Sequence, residues 1–117
     1  NTVYFCRVNV KAGEVLETET SLVVSGDVEK GARIISKGNV GILGDLHGSV
    51  TAGASGNEKT VIVALDMAPQ QLKISEVQAV YPEKGKRLGK GPSIAYVENQ
   101  GICVKNTKKN IFRYNLY

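Results

Sequence analysis

The chain has 117 residues, 42% of them hydrophobic and 22% charged, which suits one folded domain with a modest core. No apolar run approaches the roughly 20 residues of a membrane-spanning helix, and no secretory leader pattern is present. The net charge of +4 is uneven: residues 1–81 hold seven Lys/Arg against nine Asp/Glu, residues 82–117 eight against two. The basicity therefore belongs to the loop EKGKRLGKG and the tail KNTKKNIFRYNLY. With no recognition helix and no aromatic stacking platform beside it, this charge does not indicate nucleic-acid binding. The chain begins at Asn1 and reads as a fragment of a longer protein. Cys6 and Cys103 fit no metal or disulfide spacing and read as reduced, buried thiols of a cytosolic protein.

In chain order, the first strong signal lies in GDVEKGARIISKGNVGILGDLHG, residues 26–48. Gly-Asp-Val at 26–28 returns as Gly-Asp-Leu at 44–46, with Gly-Asn-Val at 38–40 between them. Aliphatic residues fall every six positions, at Leu22, Val28, Ile34, Val40, Leu46 and Ala52, and a small residue precedes most of them by two. Neither a helix nor an ordinary hairpin produces that period. Short strands with a bend every six residues build an 18-residue, three-sided β-helical coil whose turns stack at about 4.8 Å. A three-residue insertion around Ser55-Gly56-Asn57 predicts a third coil at an offset of 21, with Val61, Val63 and Met67 above Val40, Ile42 and Leu46.

Alternation along the strands then assigns faces. On the first face Leu22, Val24, Val40, Ile42, Val61 and Val63 point inward. Val23, Ser25, Gly41, Leu43, Ile62 and Ala64 point outward, an apolar or small set that is unusual for a solvated surface and suggests a self-association face. Cover by the chain's own C-terminal segment is the alternative. On another face the outward residues, Arg33, Ile35 and Lys37 above Thr51, Gly53 and Ser55, are mostly polar. After the basic loop 82–92, PSIAYVENQGICVK predicts a terminal strand pair over 93–105 around Glu98-Asn99-Gln100-Gly101, followed by the tail 106–117.

Three chemical readings are weak. Hexapeptide periodicity also marks β-helical acyltransferases, where a histidine acts as general base, but His47 has no second signature beside it. Asp27, Asp45 and Asp66 occupy equivalent bends and could form a carboxylate ladder for calcium, yet only one Gly-x-Asp unit occurs per coil, so a turn role explains them. KGKRLGKG lacks the order of a phosphate loop. The residues indicate neither catalysis, metal nor cofactor.

The segments GDVEKGARIISKGNVGILGDLHGSVTAGASGN, VIVALDMAPQQLKIS and IAYVENQGICVK resemble the C-terminal domain of the septum-site-determining protein MinC, over about residues 4–105. The resemblance implies an all-β, three-sided right-handed β-helix that dimerises through one face. It also implies binding to the membrane-associated ATPase MinD, contact with FtsZ in that complex, and a cytoplasmic protein brought to the inner membrane face only through MinD. The family's FtsZ-antagonising N-terminal domain is absent from these residues. The family's Arg-Ser-Gly-Gln motif corresponds to Lys11-Ala12-Gly13-Glu14, and its Leu-Arg-Gly segment to Leu46-His47-Gly48, followed by Ser49. Both arginines are replaced, and lysine cannot reproduce a bidentate guanidinium contact. The resemblance thus implies either a compensated MinD surface or weakened binding. A self-polymerising β-helix scaffold of the bactofilin type is the alternative from another class.

Overall fold

A computed structural model describes residues 2–82, 87–89 and 91–107. Part of the basic loop and tail residues 108–117 lie outside these. The described residues form eleven strands and no helix. In chain order they are β1 Val3–Cys6, β2 Val15–Thr18, β3 Ser21–Val24, β4 Arg33–Ser36, β5 Val40–Leu46 and β6 Ser49–Ala52. They continue with β7 Ile62–Met67, β8 Gln71–Ile74, β9 Val77–Val80, β10 Ser93–Glu98 and β11 Gly101–Asn106.

The chain coils rather than folding back. Odd strands stack in parallel as β1-β3-β5-β7 and even strands as β2-β4-β6-β8, so each circuit visits both sheets. Between the sheets runs a third face, where Val10, Val28 and Leu46 bridge in parallel and the ends of β5 and β7 pair Leu46 with Met67. The architecture is a three-sided β-helix. Its interior is aliphatic: Leu22, Val28, Ile34, Val40, Leu46 and Ala52 are all essentially inaccessible, and burying each larger one contributes about 1.5–3 kcal/mol.

The strict 18-residue period holds for every pairing from β1 up to Leu46 and breaks at the next corner. Leu22 pairs with Val40 and Val28 with Leu46, but Ile34 pairs with Val50, an offset of 16, so Arg33 stands beside Ser49 and Ile35 beside Thr51. Ala52 therefore stacks on Ser36's level and not on Ile34, although both point inward because the shift is even. The first-face assignment of the third coil is overturned for a related reason. Val40 pairs with Ile62 and Ile42 with Ala64, an offset of 22, and a bulge between Ile42 and Asp45 restores 21 at Asp45 with Asp66. One residue of slip flips every side chain. Ile62 and Ala64 are thus fully buried core residues, not outward ones, and Val61 and Val63 take the outer face, where they pack with Val23 and Ile94.

The terminal strand pair extends the first sheet at its edge, and the tail 108–117 lies outside the described residues. β10 runs antiparallel to β7, with Ile94 opposite Val63, and β11 runs antiparallel to β10. Asn99 and Gln100 both have positive φ, 52° and 64°, the two-residue turn that matches strand twist in a tight hairpin. Cys103 and Cys6 are free and half-buried, lying less deep than the sequence suggests. β9 closes the second sheet against β8. At the opposite end β1 and β2 are open edges, and Tyr4, Phe5, Val8 and Val15 are exposed there.

Candidate partner-binding surface

The corners between the third face and the second sheet stack into a ridge. Its first layer is the turn Lys11-Ala12-Gly13-Glu14, exposed throughout. Gly13 has φ 85°, a left-handed conformation open to glycine at little cost. The Glu14 carboxylate accepts the Lys11 N–H at 2.8 Å, closing the turn on itself. That acid is therefore partly spent on its own backbone.

The second layer is Glu29 to Ala32. Gly13 N–H donates to Gly31 O at 3.0 Å, and the Glu29 carboxylate accepts the Ala12 N–H at 3.4 Å. Arg33 follows at once, its N–H donating to Glu14 O at 3.0 Å and its side chain exposed. The third layer is His47-Gly48, with His47 N–H donating to Val28 O at 2.8 Å and Ser49 N–H to Ala32 O at 3.0 Å. This layer has two residues where the first two have four, which is how the 16-residue offset arises. Pro69 and Gln70 head the fourth layer. Gln70 N–H donates to Gly48 O at 2.9 Å, and its side-chain oxygen reaches back to accept the Gly31 N–H at 2.8 Å.

The two expected segments, 11–14 and 47–49, are thus on one ridge but not adjacent: the 29–32 turn separates them. Lys11, Ala12, Gly13, Glu14 and His47 are exposed, and Ser49 is half-buried. Gly48 is buried, and a side chain there would meet the backbone oxygens of Ala32 and Glu29 at 2.5 and 2.6 Å, so its part is to let the layers approach. Lys30, Arg33 and Gln70 were missed. The signal for Arg33 was available, because one 18-residue step from Val15 lands on it and the observed register pairs the two.

Of the three aspartates at equivalent bends, Asp27 serves the backbone of the next coil. Asn9 Oδ1 accepts the Asp27 N–H at 2.9 Å and Asp27 Oδ1 accepts the Asp45 N–H at 2.8 Å, so each side chain caps the next coil. At another corner Ser21 Oγ accepts from Asn39 N–H and Asn39 Oδ1 from Val61 N–H, at 2.9 and 2.8 Å. Donor atoms of Asp45, His47 and Asp66 lie within 4.8 Å of one another and could face a cation. Asp66, however, already holds Arg87, with Nε at 2.8 Å and Nη2 at 3.4 Å, which neutralises the more buried of the two carboxylates.

The family model of the septum formation inhibitor MinC, C-terminal domain, matches residues 4–107. The chain belongs to the MinC C-terminal domain family. It is 38% identical over 118 residues to a probable septum site-determining protein MinC of Lachnospira eligens, covering 93% of this chain and 48% of that protein. To the protein of the same description in Agathobacter rectalis it is 41% identical over 117 residues, covering 92% and 48%. The chain spans about half the length of the curated relatives it matches. It superposes on a chain of the MinC:MinD cell division protein complex of Aquifex aeolicus with a TM-score of 0.86 and 29% identity, covering 94% of this chain and 90% of that one. These matches favour membership of the MinC family over a bactofilin-type scaffold. Among the described residues no helix is long and apolar enough to cross a membrane.

Proposed function

We propose that this chain is the dimerisation and MinD-binding domain of a cell-division inhibitor that blocks FtsZ ring assembly at wrong sites. The observation that carries the reading is the likeness to a chain of a MinC:MinD complex at a TM-score of 0.86, together with the stacked ridge that holds Lys11 to Glu14 and His47 to Ser49. MinD binds at that ridge and brings the domain from the cytoplasm to the inner membrane face. FtsZ is reached indirectly or in that assembly. The second copy binds through the outer face of the first sheet, where half-buried Val23, Leu43 and Val61 present an apolar surface flanked by exposed Leu65 and Phe5. The domain works by binding and carries no reaction of its own.

The test is a pull-down with the MinD of the same organism, with ATP and without it. Retention with ATP supports the reading, and no retention in either state contradicts it. Turnover of an acyl-CoA that disappears in His47→Ala would contradict the non-enzymatic reading.

A further inference from the structure

The motif that marks the family's partner surface has no arginine in this chain, yet the ridge is not without a guanidinium. Arg33 opens β4 directly after the second layer, one strand spacing of about 4.8 Å from Val15 on one side and Ser49 on the other. Its backbone is fixed by the Glu14 carbonyl at 3.0 Å, so it is anchored to the same turn whose motif is altered. Among the described residues its side chain is exposed and engaged in no ion pair or hydrogen bond. The nearby acids are directed elsewhere, Glu14 onto the Lys11 amide and Glu29 towards the Ala12 amide.

We infer that Arg33 supplies from the second coil the planar, five-donor contact that the corner 11–14 no longer supplies, and that it docks on a carboxylate of the partner that binds this ridge. The inference rests on the reading of the ridge as the MinD-binding surface. A guanidinium matches a carboxylate bidentately, and an ammonium at position 11 cannot. Moving the cation one coil along the ridge changes which partner acid it meets. Arg33 is therefore a specificity determinant: it tunes this domain to its cognate MinD.

The test measures affinity for the MinD of the same organism with ATP, for the unaltered chain and for three variants. Arg33→Ala should weaken binding about tenfold with Tm unchanged, and Arg33→Lys should recover only part of the loss. Adding Lys11→Arg to the Arg33→Ala chain should restore little of the affinity for the cognate MinD, because a guanidinium one coil away meets a different partner acid, and full restoration would overturn the specificity role. Undiminished binding by Arg33→Ala overturns the inference while leaving the MinD-binding reading intact. A loss that tracks a fall in Tm, or full recovery with lysine, also overturns it. If the unaltered chain does not bind MinD at all, the reading of the ridge fails and the inference with it.

Discussion

Asn39 and Asp27 do the same job at different depths, and the difference has a measurable size. Each accepts an N–H from the coil above, but Val61 N–H is half-buried where Asp45 N–H is open to water. Removing an acceptor costs most where water cannot replace it, about 1–3 kcal/mol. Asn39→Ala should therefore destabilise the domain by about 2 kcal/mol in urea unfolding, and Asp27→Ala by less than half of that. Gly44 is tighter still, because a methyl group there would meet Gly26 O and lie 2.6 Å from Asp27 Oδ1. Gly44→Ala should cost about 2–3 kcal/mol by forcing two coils apart. Two groups carry pH information. Burial pushes the Tyr81 phenol above its ordinary 10.0, and the Glu19 hydrogen bond holds Lys37 above 10.5. In both, the folded chain keeps its proton after the unfolded chain has released it, so their contributions are complete below about pH 10 and fade as pH rises further. Thermal melts should show stability falling above pH 10, and Tyr81→Phe should remove part of that fall. These residue roles were readable where a single side chain meets its own corner, as with Asp27. Gly48 was not readable as buried, because its surroundings depend on the length of three other layers.

Strand register decides which substitution disrupts what. Ile62 is inside the coil and Leu43 is half-exposed on the outer face. Ile62→Glu places an ion in a dry aliphatic interior and should unfold the domain, since an unpaired buried charge costs several kcal/mol. Leu43→Glu leaves the interior intact and should give a folded monomer by light scattering with native circular dichroism. An unchanged dimer for Leu43→Glu would place self-association elsewhere. The period of six located the inward residues of the first two coils, since alternation survives any even shift. It failed in the third coil because two local insertions, one before β7 and one between Met67 and Gln71, are separated by a bulge that removes one residue again. A spacing rule counts residues and cannot see a bulge. The terminal pair was legible from its turn residues, but its addition to the first sheet depends on β7 offering a free edge.

For the whole molecule, an aliphatic coil with polar corners separates two surfaces by construction. The first sheet exposes an apolar face, and the corners opposite expose a ridge of alternating charge on which Lys11, Lys30 and Arg33 stand with Glu14 and Glu29. The presence of a ridge was legible from the motif at 11–14 and the segment at 47–49. Its middle layer was not, because motif reading follows the chain while the surface runs across it. One measurement tests the division of labour most directly: hydrogen exchange of this chain, followed by mass spectrometry, with and without the MinD of its own organism and ATP. The account predicts new protection in peptides covering 11–14, 29–33 and 47–49, with the outer face of the first sheet unchanged. Protection confined to β3, β5 and β7, or none anywhere, would contradict it.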